Sequence, residues 1–382
     1  MPAGMGFSLV FVFLDSYVFA LLHDEQLETC SIARSCMRPL VSANTPKTIH
    51  ALLSRLIAFV IIGAWLLVVA PKEVFSAQPE VLHASYSALV PSGAPFWIAH
   101  ELGLFEKEGL LVKLVYINAS PLVIASILAG DIQVSLAGVS AIVAAYARGS
   151  DVVAIAGAVN KINVSIYALP EIKKPEDLRG KRIGITRFGG LYDFSANYAL
   201  KKWGLQPGKD VALIQIGDAP SLMSALAGNS IQAATLQPPS TIRAAQSGYR
   251  ELMDLSKSGF EYQNTVVLST RSIIRKSPDT FRRFMRAYST ALGIFHQQRE
   301  PTLKVMAKHL KGIDKFVLEK SYEAYKEWVP EIPYLNHAGM ETAIALTPGV
   351  EKGKELKVSD IVDESFIKEL DQQGFFRTLY KK

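Results

Sequence analysis

The sequence predicts an α/β protein of two lobes, joined by a hinge of two crossing strands and followed by a C-terminal helical tail. Three observations predict it. Between 81 and 156, and again between 181 and 247, short β-rich runs alternate with stretches of helical spacing. The connections are short, which is the pattern of a parallel sheet covered by helices. Strand-like runs at 163–169 and 265–269 flank the second unit, so the chain is expected to pass between the two units twice, near 165–172 and near 258–266. After Ser277 the pattern is helical only.

In the first unit, strands are expected at 81–86, 111–116, 133–136 and 151–156, with helices at 95–108, 121–129 and 139–148. In the second unit, strands are expected at 181–186, 211–216 and 231–236, and helices at 192–203, 221–227 and 239–247. Ser277-Pro278 opens a long helix, because Ser at the N-cap followed by Pro at the first helical position is a start signal. Phe281, Phe284, Met285, Tyr288, Ala291, Leu292 and Phe295 then follow helical spacing. Further helices are expected at 315–328, 337–345 and 365–372. The domain reading is an N-terminal extension at 1–77, a first lobe of 78–168 plus 263–382, and a second lobe of 169–262.

Of the 382 residues, 49% are apolar and 20% charged, which is ordinary for a folded globular chain. The formal net charge is +6. Lys and Arg are scattered singly among acidic residues, so the clustered patch that a nucleic-acid partner would want is missing. Such an excess keeps a protein soluble and attracts a small anion only weakly.

Residues 56–70 form an uninterrupted apolar run preceded by Lys47 and Arg55, with the small residues Ser76 and Ala77 behind it. A basic segment, a short apolar core and a small-residue cleavage site make a secretory signal. A membrane span would need roughly 20 residues. Export to the periplasm through a signal at about 47–77 is therefore expected, with a membrane anchor as the alternative. Cys30 and Cys36 are the only cysteines and both precede this run, so the exported part would hold no thiol chemistry.

The segments PFWIAHELGLFEKEGL (95–110), ILAGDIQVSLAGVSAIVAAYARGSDVVAIAG (127–157), KKPEDLRGKRIGIT (173–186), KKWGLQPGKDVALIQIG (201–217) and ALAGNSIQAATLQPP (225–239) resemble, in this order, the substrate-binding proteins of ABC transporters for nitrate, sulfonates, taurine and thiamine pyrimidine precursors, the SsuA/THI5-like family. Gln133 and Gln232 stand where that family often has Asp. The resemblance implies a periplasmic binding protein fold of the second type. It also implies a small-molecule ligand and a transporter permease as partners, with no cofactor.

In sheets of this kind ligands bind beyond the carboxyl ends of strands, against helix N-termini. Four segments meet that description. After the first strand, Ser87, Pro91, Ser92 and Phe96 are expected to line the cleft. Gly138 and Ser140 follow the third strand, with Gly138 allowing close backbone approach. In the second lobe Arg187, Phe188, Gly189, Gly190 and Tyr192 precede or open a helix, and Gln237 closes another strand with an amide. Arg187 would pair an anion, or else simply Asp193. Phe96, Phe188 and Tyr192 would sandwich a flat ring.

Enzyme chemistry finds little support. The chain lacks a GxSxG elbow, a GxxxxGK[ST] phosphate loop, a GxGxxG turn after the first strand and an HxxxH pair. The enzymatic relative in the resembled family, a fungal thiamine pyrimidine synthase, is associated with a cysteine-rich motif. The two readings left are a binding protein for import, of a small organic anion or a neutral aromatic heterocycle, and a ligand sensor.

Overall fold

The computed structural model describes residues 79–259, 261–347 and 356–381, and the expected export segment lies outside them. The first strand, β1 (Glu80–Tyr86), buries Leu82, Ala84 and Tyr86 and leaves Val81 exposed. This two-residue alternation sets one face of the strand on a core. A turn at Pro91–Gly93 leads into α1 (Ala94–Glu101), whose residues up to Ala99 are buried. The single helix expected at 95–108 is broken at Gly103. Its φ of 64° suits glycine and stops the helix before α2 (Leu104–Lys107) begins.

The remaining elements of this lobe are β2 (Leu110–Tyr116), α3 (Ser120–Ala129), β3 (Val134–Gly138), α4 (Val139–Ala147) and β4 (Val152–Val159). The second lobe holds β5 (Ser165–Ala168), β6 (Arg182–Ile185), α5 (Leu191–Lys202), β7 (Ala212–Gln215), α6 (Ala219–Ala227), β8 (Ala233–Leu236), α7 (Ser240–Gln246) and β9 (Arg250–Asp254). The chain then returns through β10 (Thr265–Thr270) to the helices α8 (Arg271–Lys276), α9 (Pro278–Gln297), α10 (Arg299–His309), α11 (Lys315–Trp328), α12 (His337–Leu346), α13 (Val358–Ile361), α14 (Ser365–Gln372) and α15 (Phe375–Tyr380).

Two five-stranded sheets result, ordered β2-β1-β3-β10-β4 and β7-β6-β8-β5-β9. Both are mixed, where strand–helix alternation alone predicts parallel sheets. The strands that arrive from the opposite lobe enter the other way round: β10 is antiparallel to β3 and β4, and β5 is antiparallel to β8 and β9. The 163–169 run was expected in the first lobe, but β5 pairs within the second sheet. All four of its residues are buried, which fits an interior strand rather than a connector. The crossings are therefore the segments at 160–164, earlier than the expected 165–172, and at 255–259 with 261–264.

Each lobe repeats one device with a glutamine. Gln133 Oε1 accepts the backbone N–H of His83 at 2.9 Å, and Gln232 Oε1 accepts that of Arg182 at 3.2 Å. Each side-chain nitrogen turns back to its own loop, on Gly130 and Asn229 respectively. An aspartate carries no N–H donor for the second bond. The glutamines thus seal the start of a strand pair where the resembled family often has Asp.

The helical tail completes the first lobe. Phe96 of α1 is wholly buried and lies edge-on to Phe284 and Tyr288 of α9, at 5.4 and 5.5 Å between ring centres. Phe105 stacks on the other side of Phe284 at 4.9 Å. Burying such a side chain is worth about 1.5–3 kcal/mol, so these rings hold α9 to the sheet. Pro278 opens α9 as the sequence suggests, although the Ser277 side chain makes no capping bond.

The two crossings are tied to each other and to the tail. Asn264 Nδ2 donates to Asn163 Oδ1, and Gln263 Nε2 donates to Val159 O at 3.0 Å. Gln263 Oε1 accepts the backbone N–H of Asn336 at 2.8 Å. A Cβ on Gly339, in the first turn of α12, would come within 2.4 Å of the Gln263 nitrogen. The tail therefore packs directly on the second crossing, with no room for a side chain between them.

Candidate functional site

Between the lobes lies a cavity of about 60 Å³, lined from both sheets. One water centre needs roughly 10–15 Å³ on the same measure, so a few waters or one small ligand fit. The lobes meet around it. A Cβ placed on Gly138 of β3 would lie 3.4 Å from the Leu191 β-carbon of α5, and one on Gly190 would lie 3.7 Å from Pro121. This is a closed cleft.

The lining comes from strand ends, as the fold dictates. Tyr86 ends β1 and Tyr116 ends β2, with ring centres 5.6 Å apart. Ser87, Ser92, Asn118, Ser120 and Gly138 complete the first-lobe side. Thr186, Gly190, Leu191, Tyr192, Asp218 and Gln237 come from the second lobe, and Thr265 from the start of β10. Three helices begin here without a side-chain cap: α3 at Ser120, α4 at its N-cap Gly138, and α5 at its N-cap Gly190. At α4 the Val139 N–H already donates to Asn264 O at 2.9 Å, and at α3 the Leu122 N–H donates to Ala119 O at 3.1 Å. The start of α5 is therefore the one whose first N–H groups favour an acceptor or anionic group.

Burial raises the phenols around the cavity. Tyr116 is pushed up to about 12 by desolvation, reinforced by the neighbouring Asp218 carboxylate and by Tyr86. Tyr192 is raised mainly by its complete burial. All three lining tyrosines remain neutral donors and acceptors near neutral pH. The Tyr192 hydroxyl donates to Gln237 Oε1 at 3.4 Å, and Gln237 Nε2 donates to Asn163 Oδ1. Ser120 Oγ accepts the Gly138 N–H at 2.9 Å and faces Ser87 Oγ at 3.4 Å. The floor of the cavity is thus hydrogen-bonded to the first crossing.

Of the residues singled out from sequence, Ser87, Ser92, Gly138, Gly190, Tyr192 and Gln237 line the cavity. The others lie elsewhere. Phe96 sits in the aromatic core against α9 because α1 turns its apolar face inward. Pro91 is buried in the turn before α1. Ser140 is buried one residue into α4, beside the Tyr262 hydroxyl. Arg187 is partly exposed outside the lining, and its carbonyl accepts the Gly190 N–H at 3.3 Å. Phe188 is 52% exposed, so it does not face Tyr192 across a ring. Gly189 has a φ of 73°, and its N–H already donates to Asp193 Oδ2 at 2.8 Å. Asp193 also accepts from Asn197.

Sequence reasoning missed Tyr86, Tyr116, Asn118, Thr186 and Asp218. The signal was available: Tyr86 and Tyr116 are the last residues of two expected strands, and Thr186 and Asp218 stand at or just past the ends of two more. Weighting glycine-rich turns above strand ends hid them. Among the described residues no group of three or more acidic, histidine or cysteine side chains is placed to hold a metal ion. None of their helices is long and apolar enough to cross a membrane.

Comparison with known proteins agrees with this geometry. The chain is 23% identical over 254 residues to the putative binding protein YtlA of Bacillus subtilis, covering 65% of this chain and 74% of that one. It is 25% identical over 286 residues to a putative aliphatic sulfonates-binding protein of the same organism, covering 72% and 84%. In structure it is similar to the alkanesulfonate-binding protein SsuA of Xanthomonas axonopodis pv. citri bound to MOPS. There the TM-score is 0.62 at 20% identity, over 75% of this chain and 99% of that one. The fold is that of the periplasmic binding proteins. The sequence pattern of the family described as NMT1/THI5 like matches residues 90–300, more than half of the chain, and the protein belongs to that family.

Proposed function

We propose that the protein captures a small polar ligand in the interlobe cleft outside the cytoplasm and hands it, in the closed form, to the permease of an ABC importer. The observation that carries this reading is the cavity itself. Strand ends and helix starts of both lobes converge on it, so a ligand gains its full set of contacts only when the lobes are together. A ligand of that kind shifts the population toward the closed form by its differential affinity for it. Relatives named as sulfonate-binding or taurine-binding proteins support a small organic acid as the cargo. Binding without catalysis accords with a lining of hydroxyls, amides and one carboxylate.

A neutral aromatic heterocycle is the second reading, favoured by three lining tyrosines, Tyr86, Tyr116 and Tyr192. A thermal-shift screen of the purified protein with sulfonates, nitrate, bicarbonate, carboxylates and pyrimidines separates the two. A ligand at about 100 times its dissociation constant adds roughly 2.7 kcal/mol, a shift of several degrees. A hit among the organic acids supports the first reading and a pyrimidine hit supports the second. No shift with any member would count against small-molecule capture of either kind.

A further inference from the structure

A second, larger opening lies apart from the cleft. It is a groove of about 630 Å³ between the edge of the second sheet and the tail helix α11, and it shares no lining residue with the cleft cavity. Small-molecule sites span roughly 300–1,000 Å³, so this one has room for a ring-bearing ligand.

One wall is a stripe of α11. Phe316, Lys320, Ala324 and Trp328 line the groove, and a spacing of four puts them on one helix face. That face is turned away from the first-lobe core, because Tyr322 holds the helix from its other side. The Tyr322 hydroxyl donates to Phe295 O at 3.0 Å, and the two rings meet at 5.4 Å. Phe316 is left 55% exposed, an apolar ring that no packing of the lobe uses.

The opposite wall comes from β5 and β9 of the second lobe. Ser165 pairs with Asp254 and Tyr167 with Glu251, because the register shifts between Ile166 and Tyr167. In a regular strand, residues three apart point to opposite faces. The bulge brings both carboxylates to the groove, and bulges commonly re-aim side chains next to binding sites. Asp254 is already engaged by the Ser256 N–H at 2.9 Å and by Lys257 at 3.0 Å. Lys320 is paired with Glu323 at 2.7 Å. Glu251 is exposed and bonded to the Tyr167 phenol, which burial and then the Glu251 charge push up to about 12. Tyr167 thus stays a neutral donor, and Glu251 is the carboxylate left for a ligand. A carboxylate facing a wall of aromatic rings attracts an organic cation through its charge and through the ring faces.

We propose that this groove is a second ligand site, taking an organic amine with an aromatic body, its ammonium on Glu251 and its ring on the Phe316–Trp328 stripe. The site does not depend on what the cleft binds. Its walls belong to different lobes, so an occupant that touches both favours the arrangement of lobes seen here.

The test is isothermal titration of the purified protein with phenethylamine, 2-phenylethanol and 3-phenylpropanoate, which share the ring and differ in charge. The amine should bind about tenfold or more tightly than the alcohol, and the anion most weakly. Glu251→Gln should bring the amine down to the alcohol's affinity. Phe316→Ala or Trp328→Leu should weaken both amine and alcohol. Glu251 and Phe316 are exposed, so those two variants should keep the parent melting temperature. None of the three residues lines the cleft, so these losses place the amine in the groove. Equal binding of amine and alcohol, an amine preference that survives Glu251→Gln, unchanged affinity in both ring variants, or no binding of the amine would each overturn the proposal. All of these outcomes leave capture in the cleft standing.

Discussion

Asn163 and Asn264, one on each crossing between the lobes, are joined side chain to side chain, and the Asn163 oxygen that accepts from Asn264 also accepts from Gln237 in the cavity lining. One carboxamide therefore connects both crossings to the binding cleft. The two donors are buried, Asn264 fully and Gln237 to 4% exposure, so bulk water does not compete for them. Asn163→Leu should leave the Gln237 amide donor unmet and Asn264 with only its bond to Lys161 O at 3.2 Å, at a cost of about 1–3 kcal/mol for an unsatisfied group. Urea denaturation would show a lower midpoint with an unchanged slope. Ligand affinity should fall as well, because Gln237 loses the bond that fixes its orientation.

Gly138 separates stability from closure. Its φ is −69°, which any residue adopts, and the atoms a Cβ would crowd are Ser120 Oγ at 3.3 Å and Leu191 Cβ at 3.4 Å. Leu191 belongs to the other lobe. Gly138→Val should weaken ligand binding by about tenfold or more, equivalent to about 1.4 kcal/mol. The ligand-free melting temperature should fall only modestly, because the open form relieves the Leu191 contact and leaves the Ser120 contact within the first lobe. Titration calorimetry and a melting curve on the same preparation decide it.

Phe96 makes the opposite case. Its place in the aromatic core predicts that Phe96→Ala costs about 3–5 kcal/mol of stability. Ligand affinity, measured where the variant is still folded, should be unchanged. A direct role in the cleft would instead show as lost affinity in calorimetry.

These cases mark what the sequence makes legible. Strand–helix alternation, the helical tail and the existence of two crossings can be read directly from hydrophobic period and segment order. Sheet polarity cannot, because nothing local to 165–168 or 265–270 says which sheet each strand enters or from which end. Polar strands hide too: β9 reads RELMD, and two of its five residues are exposed. In the site, residues flagged by backbone freedom divided between cleft and surface. Gly138 and Gly190 face the other lobe, while Gly189 spends its N–H on Asp193. Phe96 was indistinguishable from a cleft aromatic until α9 was in place to cover it.

The tail also predicts a pH response. The Lys308 ammonium and His309 hold Glu101 below the usual carboxylate value of 4.5, against some opposing desolvation. Burial holds His309 below its ordinary 6.5, only partly offset by Glu101, and its ring stacks on Trp97 at 4.8 Å. In both cases the unfolded chain binds the proton more readily than the folded one, so acidification costs stability. Loss from His309 should begin as the pH falls below about 6.5, and loss from Glu101 below about 4.5. Melting temperature against pH should fall in these two windows. His309→Gln should flatten the first and Glu101→Gln the second.

Closure on a ligand is the central claim, and small-angle X-ray scattering before and after saturation tests it most directly. The ligand is whichever compound gives the strongest thermal shift. The account predicts a smaller radius of gyration with ligand, and a scattering curve that matches the one calculated from this closed structure, with Gly138 against Leu191. The same curve with and without saturating ligand would contradict it.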